Sequence, residues 1–223
     1  DSFEAPPIAS ASRAQVHVAY INGKKCAIKV QHRGLRETAK GDIRNLETAV
    51  NLAERLFDDF SFGWLADEIA PNLPKELDFI HEGHNAETAA EQMKMTGLNC
   101  IVPKILWDKT STRVLTMEFE EGFKVSDTER LKQSGLDKAE ITRLITAVFA
   151  SQVFEFGHVH VDPHEGNLLI RSNKNGGKPQ IVLLDHGLYR SLDPDFRRNY
   201  AKLWKSLMLA DIQGIHQACV GLN

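Results

Sequence analysis

The sequence has 223 residues, 42% of them hydrophobic, which is enough for one large domain or two small lobes with a core that needs no cross-links. Lys and Arg total 27 and Asp and Glu total 30, and the net charge of −3 excludes a polybasic nucleic-acid-binding protein and an acidic disordered tail. The three cysteines are too scattered for a disulfide framework or a Cys-rich zinc site. No apolar run approaches the ~20 residues of a membrane-spanning helix, and no signal or transit peptide is recognisable.

The first half of the chain is predicted to hold the longer strands. After an irregular start over residues 1–12, alternating apolar residues predict strands over 14–21 and 24–32. The dipeptide between them, Asn22-Gly23, is typical of a tight hairpin turn. Two more strands are predicted, over 102–108 and 113–119. Apolar residues at intervals of three and four predict helices over 42–57, 63–72 and 75–95.

Helices dominate the predicted second half. In the first half, Asp42 is a plausible N-cap for the helix predicted over 42–57. Gly122 marks a joint after the last long strand, and the second half follows it. Beyond this joint the predicted helices are 128–133, 137–156, 194–210 and 212–219. Two short strands, 167–171 and 180–185, flank a glycine-rich turn.

Four of the nine histidines fall between positions 158 and 186, and two kinds of chemistry compete for this segment. The run HVHVDPH suggests a zinc-dependent hydrolase, in which imidazoles hold the metal and a bound water attacks. Pro163 adds one residue between Asp162 and His164, and this insertion breaks the ligand spacing of that motif. The zinc interpretation is therefore the weaker one.

The stronger interpretation is phosphoryl transfer. Asp162 and Asn167 have the spacing of the kinase catalytic loop, in which an Asp orients the attacking group and an Asn binds Mg²⁺. Asp185 follows an apolar strand in the sequence DHG and matches the metal-binding Asp of DFG. Lys29, in AIK on the second strand, matches the lysine that contacts the nucleotide phosphates, and Glu82 is its candidate acidic partner. The segment 117–122 is the predicted hinge between lobes; Met117 would guard the nucleotide pocket, and the backbone of Glu118, Phe119 and Glu120 would contact adenine.

Six motifs, which follow one another along the chain, resemble those of the UbiB/ADCK (aarF domain-containing) family of atypical protein-kinase-like proteins. They are IASASRAQVH, AIKVQH, KELDFIHEGHNAE, RVLTMEF, HVHVDPHEGNLLI and IVLLDHG, and they cover nearly the whole chain. The form of the DHG motif is similar to that of the mitochondrial ADCK branch linked to lipid homeostasis.

The resemblance implies an α+β, bilobal protein-kinase-like fold: a small β-rich N-lobe with extra helices over 1–119 and a helical C-lobe over 120–223, with the site in the cleft between them. It implies ATP (or ADP) and Mg²⁺ as cofactors, with Lys29, Asp162, Asn167 and Asp185 as catalytic residues and the last two as metal ligands. An Ala-rich loop with Ala11 and Ser12 replaces the kinase glycine loop, and Ala disfavours the positive φ that Gly permits. Glu76 and Asp78 match the ExD motif of the family.

The sequence departs from the family pattern at several points. The KxGQ segment of the family is missing, Glu165 replaces a Pro of the catalytic loop, and His186 replaces the Phe of DFG. The chain is expected to pass from DHG straight to the helix that begins near residue 194, without the long loop on which ordinary kinases bind protein substrates.

The expected absence of that loop favours a small-molecule or lipid substrate, or ATP hydrolysis, over protein phosphorylation. The alternative is a pseudokinase-like module that binds nucleotide or lipid and regulates a partner without catalysis. A membrane surface, bound peripherally, is one further partner that the resemblance allows. Nucleic acid is not an expected partner. Location in a mitochondrion follows only from the family resemblance, with a plastid as the other option.

Overall fold

The computed structural model describes residues 1–11, 13–57, 63–173 and 177–222. The strands are β1 (Ser2–Phe3), β2 (Ala9–Ser10), β3 (Ala14–Ile21), β4 (Lys24–Gln31), β5 (Cys100–Ile101), β6 (Val114–Glu118), β7 (Phe123–Lys124), β8 (His158–His160), β9 (Leu168–Ser172), β10 (Pro179–Leu183) and β11 (Tyr189–Ser191). The helices are α1 (Leu35–Leu56), α2 (Gly63–Glu76), α3 (Phe79–Thr96), α4 (Thr128–Ser134), α5 (Lys138–Ser151), α6 (Pro194–Met208) and α7 (Ile212–Val220).

The chain divides into two compact units. The first unit comprises Asp1–Glu87, Pro103–Glu120 and Asp185–Gly187, and the second comprises Thr88–Val102, Glu121–Leu184 and Leu188–Asn223. Each unit therefore contains segments that are distant in the sequence, and the DHG segment belongs to the first. The predicted lobes 1–119 and 120–223 stay a prediction.

An antiparallel sheet forms the centre of the first unit. Its strands pair in the order β1, β3, β4, β6, and β2 also pairs with β3. The predicted hairpin is present with the predicted register-setting turn, because Asn22 and Gly23 both have positive φ, at 51° and 74°. This turn pairs Val16 with Lys29, so that Lys29 lies on a strand with a partner on either side.

Two helix boundaries differ from the sequence predictions. The first helix begins at Leu35 rather than at Asp42, after Gly34 in the left-handed region at φ 82°. Gly34 offers no capping side chain, and the buried Ala39 shows that the packed face of α1 starts before Asp42. The predicted 75–95 helix begins instead at Phe79, because α2 continues through Pro71 and Pro74 as far as Glu76.

Three strand predictions also need correction. Residues 102–108 form only an isolated bridge from Ile105 to Met117 and a 3₁₀ turn, since Pro103 lacks an N–H for a continuous ladder. The start of the chain, predicted to be irregular, contains β1 and β2. The strand β11 lies between DHG and α6 and pairs with β8, so the chain does not pass straight from DHG to a helix.

The second unit contains a sheet in the order β5, β10, β9, β7. Strand β10 is parallel to β5 and antiparallel to β9. The core against this sheet consists of the buried side chains Met93, Cys100, Val148, Leu168, Ile181 and Leu183. Helix α5 ends in a π-helical turn over Gln152–Phe156, immediately before β8. Of the helices in the described ranges, none is both long and apolar enough to cross a membrane.

Candidate functional site

Lys29 is the centre of a charged cluster in the first unit. Its Nζ lies 2.7 Å from Glu82 Oε1 and 3.2 Å from Asp185 Oδ2. The Lys29 side chain is only 15% exposed, and Nζ also lies 5.4 Å from the centre of the Phe79 ring. Burial disfavours its charge, but attraction to the two carboxylates outweighs that effect and raises the pKa of Lys29. The cluster therefore holds a charged lysine inside the unit.

Glu82 reaches this position because α3 starts at Phe79. Asp78 caps the helix by accepting the Ile80 N–H at 3.0 Å, and the Glu82 N–H then donates to the Asp78 carbonyl. The Glu82 side chain is 3% exposed. Burial raises the pKa of Glu82, and the charge of Lys29 opposes that rise. Lys29 thus favours the ionised form of a carboxylate whose ionisation burial disfavours.

Asp185 contributes the second carboxylate. Its Oδ1 accepts the Gly187 N–H at 3.0 Å, and its side chain is 39% exposed. Burial acts to raise the pKa of Asp185, but Lys29 and the Gly187 N–H outweigh burial and lower it. The same segment is held by Asn85, whose Nδ2 donates to the His186 carbonyl at 3.0 Å. Asp185 is thus an ionised and partly open group at the edge of the cluster.

The predicted ExD residues occupy the junction between α2 and α3. Glu76 is the last residue of α2 and forms an ion pair with Arg13. Asp78 caps α3 through the Ile80 N–H. The contacts of both residues organise the chain next to the cluster, and a further role for them stays a prediction.

Ala11, in the predicted nucleotide loop, lies in a tight turn after β2, and Ser12 lies outside the described residues. The Ala11 N–H donates to the Ala14 carbonyl at 2.8 Å. The ring Nε2 of His32 lies 2.9 Å from the Ala11 carbonyl oxygen. His32 follows β4, the strand that carries Lys29, so it ties this turn to that strand.

Two backbone N–H groups of the predicted hinge already donate hydrogen bonds to other parts of the first unit. Met117 is buried on β6, opposite Ala27. The Glu118 N–H donates to the Lys104 carbonyl at 2.9 Å, and the Phe119 N–H donates to the Lys25 carbonyl at 3.2 Å. Adenine could use either N–H only if these bonds broke. Glu120 is the last residue of this stretch of the first unit, and its contact with a nucleotide stays a prediction.

Asp162 and Asn167 lie together in the second unit. The Asn167 Nδ2 donates to the Asp162 carbonyl at 3.2 Å, which leaves the amide oxygen of this buried side chain as the potential ligand atom. The Leu184 N–H donates to the Asn167 carbonyl, so the loop is bound to the residue that directly follows β10. The Asp162 side chain is 64% exposed, and its Oδ2 lies 3.8 Å from His164 Nε2.

Histidines and Gln152 brace this loop. His160 Nδ1 accepts the Asp162 N–H at 3.0 Å, and His164 Nδ1 accepts the Gly166 N–H at 3.0 Å. Gln152, fully buried in the π-helical turn, accepts the His160 N–H at 3.1 Å. Within the described ranges, no three His, Cys, Asp or Glu side chains are grouped so that they could hold a metal ion. The geometry of the histidines is that of a scaffold.

Sequence reasoning missed Asn85, His32 and Gln152. Asn85 lies three residues after Glu82, a spacing that places both on one helix face, and this spacing was the available signal. His32 lies three residues after Lys29, but nothing in the sequence indicates that a side chain at the end of a strand reaches back to Ala11. Gln152 lies within the apolar pattern that predicts the helix over 137–156, and this pattern does not indicate the π-helical turn that contains Gln152.

The comparisons with known proteins agree on one family. Residues 1–219 match the ABC1 atypical kinase-like domain. A mouse relative named AarF domain-containing protein kinase 1 is 42% identical over 217 residues, covering 97% of this chain and 41% of the relative. The chain spans about two fifths of the length of the curated relatives it matches.

Solved structures agree on the fold. The protein Rv3197 of Mycobacterium tuberculosis, solved in complex with erythromycin, has a TM-score of 0.76 at 21% identity, covering 97% of this chain and 54% of that chain. The Rio2 kinase of Chaetomium thermophilum, solved as an ADP/Mg²⁺-phosphoaspartate complex, has a TM-score of 0.53 at 14% identity, covering 96% and 54%. The predicted α+β protein-kinase-like fold is confirmed.

Proposed function

Because the chain belongs to the ABC1 atypical kinase-like family, we propose that it binds ATP or ADP with Mg²⁺ and transfers or hydrolyses the γ-phosphate. The observation that carries this proposal is the cluster of Lys29, Glu82 and Asp185, three residues that lie far apart in the sequence and meet within hydrogen-bonding distance. A buried lysine kept charged by a helix carboxylate, next to a partly open Asp, is the arrangement that protein kinases use for phosphates and metal.

In this proposal Lys29 binds the α- and β-phosphates, and Glu82 orients the Lys29 ammonium group. Asp185 and the amide oxygen of Asn167 are the Mg²⁺ ligands. Their fit is chemical: a carboxylate whose pKa is lowered and an amide oxygen are hard oxygen donors of the kind Mg²⁺ prefers. When bound, the ion neutralises charge that develops on the phosphate oxygens.

Asp162 orients the group that attacks. Its exposed carboxylate accepts the proton of an acceptor hydroxyl or of a water molecule as the new oxygen–phosphorus bond forms. The bond between the γ-phosphorus and the bridging oxygen of ADP breaks in the same displacement. The His160 Nδ1 and the Asn167 Nδ2 fix the backbone at Asp162 and make no bond to its carboxylate, which is 64% exposed.

We further propose a small-molecule or lipid-related acceptor. Between Gly187 and the start of α6 the chain has six residues, three of them in β11, which is short for the loop on which kinases bind peptide substrates. Peripheral membrane association and a mitochondrial location, with a role in lipid or quinone homeostasis, are proposed from the family resemblance alone. Imaging of the full-length protein with an organelle marker tests the location.

One observation favours a second candidate, a nucleotide-binding regulatory module without catalysis. Asp185 Oδ2, an atom that a metal ligand would offer to Mg²⁺, lies 3.2 Å from Lys29. A protein that retained this ion pair with nucleotide bound would lack the metal geometry needed for transfer. Nucleotide binding without turnover on any acceptor, in a broad screen, would support this module.

The test of catalysis is Mg²⁺-dependent ATP turnover, followed by a search for phosphorylated small molecules and lipids. We expect Asp185→Asn to abolish turnover, because it removes the carboxylate proposed to bind the metal. Asp108→Asn is the matched control, since the Asp108 side chain is exposed in the 3₁₀ turn of the first unit. Turnover that survives in the Asp185→Asn variant would contradict the proposal.

A further inference from the structure

Two side chains from one turn of α3 hold the main chain of a single residue, His186. Asn85 Nδ2 donates to the His186 carbonyl at 3.0 Å. The Glu82 carboxylate lies 3.5 Å from the His186 N–H, on the other side of the same residue. Because Glu82 and Asn85 are three residues apart, they lie on the same helix face and move together. Helix α3 therefore contacts both the N–H and the carbonyl of His186, the central residue of the DHG segment.

The hydrogen bond between Asn85 and His186 is buried. Asn85 is 6% exposed and His186 is 2% exposed. A hydrogen bond lost at such a place leaves a carbonyl that water cannot readily satisfy, and the cost is larger than the net value of an exposed bond. The contact is therefore suited to fixing a position.

The position that it fixes is that of Asp185. His186 directly follows Asp185, and the Gly187 N–H holds Asp185 Oδ1 at 3.0 Å. A Cβ on Gly187 would lie 3.3 Å from Asp185 Oδ1 and 3.6 Å from Glu82 Oε2, so the segment passes close to both carboxylates. A shift of the His186 backbone would move the Asp185 carboxylate with it.

We propose that Asn85 is a positioning residue for the metal ligand Asp185, so that the affinity for Mg²⁺ in the nucleotide complex depends on the Asn85 amide. This inference rests on the proposed function. In kinases with DFG, packing of the Phe sets the active or inactive arrangement. Here His186 occupies that place, and a hydrogen bond from α3 to its main chain takes over the coupling between the helix and the metal-binding Asp.

The test measures ADP binding as a function of Mg²⁺ concentration in wild type and Asn85→Leu, which keeps the approximate size of the side chain but cannot donate a hydrogen bond. We expect the Mg²⁺ midpoint to rise by about tenfold, which corresponds to about 1.4 kcal/mol. The affinity for ADP without Mg²⁺ should change by less than about twofold, a selectivity that general destabilisation would not produce. Asn51→Leu, at an exposed position of α1, is the matched control.

Each outcome is decisive. If wild type shows no Mg²⁺-dependent ADP binding, the proposed function and this inference fall together. If wild type shows it and Asn85→Leu has the wild-type midpoint, the inference alone is overturned. Should Asn85→Leu fail to fold, Asn85→Ser, which retains a shorter donor, is compared by hydrogen exchange. We expect faster exchange at residues 185–187 in Asn85→Ser, and unchanged exchange there contradicts the inference.

Discussion

Lys29 and Glu82 form a buried ion pair at 2.7 Å although they are 53 positions apart in the sequence. The hairpin turn at Asn22-Gly23 sets the register of the strand that carries Lys29, and the Asp78 cap sets the start of the helix that carries Glu82. Two local sequence signals thus combine to place one long-range contact.

Removing the charge of Lys29 should destabilise the protein more than removing the charge of Glu82. Lys29→Met leaves Glu82 and Asp185 without their shared cation, and we expect a cost of about 3–5 kcal/mol in the free energy of unfolding. Glu82→Gln should cost less, because Lys29 retains Asp185. Urea denaturation measures both, with Lys24→Met on the exposed end of β4 as the control, expected to lie within about 0.5 kcal/mol of wild type. Equal costs for Lys29→Met and Lys24→Met would contradict this account.

The same cluster predicts a pH dependence of stability. The pKa of Lys29 is raised in the folded state, so its contribution is complete below the ordinary lysine pKa of about 10.4 and is lost as pH rises through the folded value. The pKa of Asp185 is lowered, so its contribution is present above about pH 3.9 and is lost as pH falls through the folded value.

The difference in unfolding free energy between wild type and Lys29→Met should therefore shrink above about pH 10.4, where Lys29 starts to lose its proton in the unfolded state but keeps it in the folded state. Denaturation series at stepped pH measure it. A difference that stays constant into strongly alkaline solution would show that Lys29 does not titrate with a raised pKa.

Gly83 should not tolerate a side chain. A Cβ at Gly83 would lie 2.6 Å from the Trp107 ring, which also contacts the His84 ring in a tilted arrangement and donates to Glu87. We expect Gly83→Ala to displace Trp107 or α3 and to cost about 1–3 kcal/mol. Gly41→Ala is the matched control in α1, where a Cβ meets nothing within 4 Å, and it should stabilise by about 0.5–1 kcal/mol.

Thermal or urea unfolding measures both glycine variants, and Trp fluorescence reports the displaced ring. If Gly83→Ala is as stable as Gly41→Ala, the close packing of α3 against Trp107 is wrong.

The three thiols should differ in reactivity. Cys26 and Cys100 are buried and Cys219 is exposed. Burial raises the pKa of Cys100 to about 12 and also raises that of Cys26, so neither forms much thiolate near neutral pH. We expect iodoacetamide to label Cys219 in the native protein and the other two only after unfolding. Native labelling of the Cys219→Ser variant, read by mass spectrometry, would contradict the burial of Cys26 and Cys100.

The sequence predicted well where one local signal decides the structure. The Asn-Gly turn, the strand ending at Ile21 and the helix starts near residues 137 and 194 depend on residues adjacent in the chain. The start of α1 was mispredicted because Gly34 gives no capping signal.

Long-range contacts account for the rest. Strand β11 exists because Tyr189 pairs with His160, 29 residues earlier, and three-residue strands carry too little alternation to be recognised. For the site, motif spacing selected Lys29 and Asp185, which lie 3.2 Å apart in the structure. The contact of Asn85 with the His186 carbonyl depends on which backbone passes in front of α3, and that is visible only in three dimensions.

The most direct test of the central claim is a calorimetric titration of ADP with and without Mg²⁺ into wild type, Asp185→Asn and Asp108→Asn. The account predicts that Mg²⁺ strengthens binding to wild type and to Asp108→Asn, and that this gain disappears in Asp185→Asn because the proposed metal ligand is lost. Equal strengthening by Mg²⁺ in all three proteins, or no binding to wild type, would contradict it.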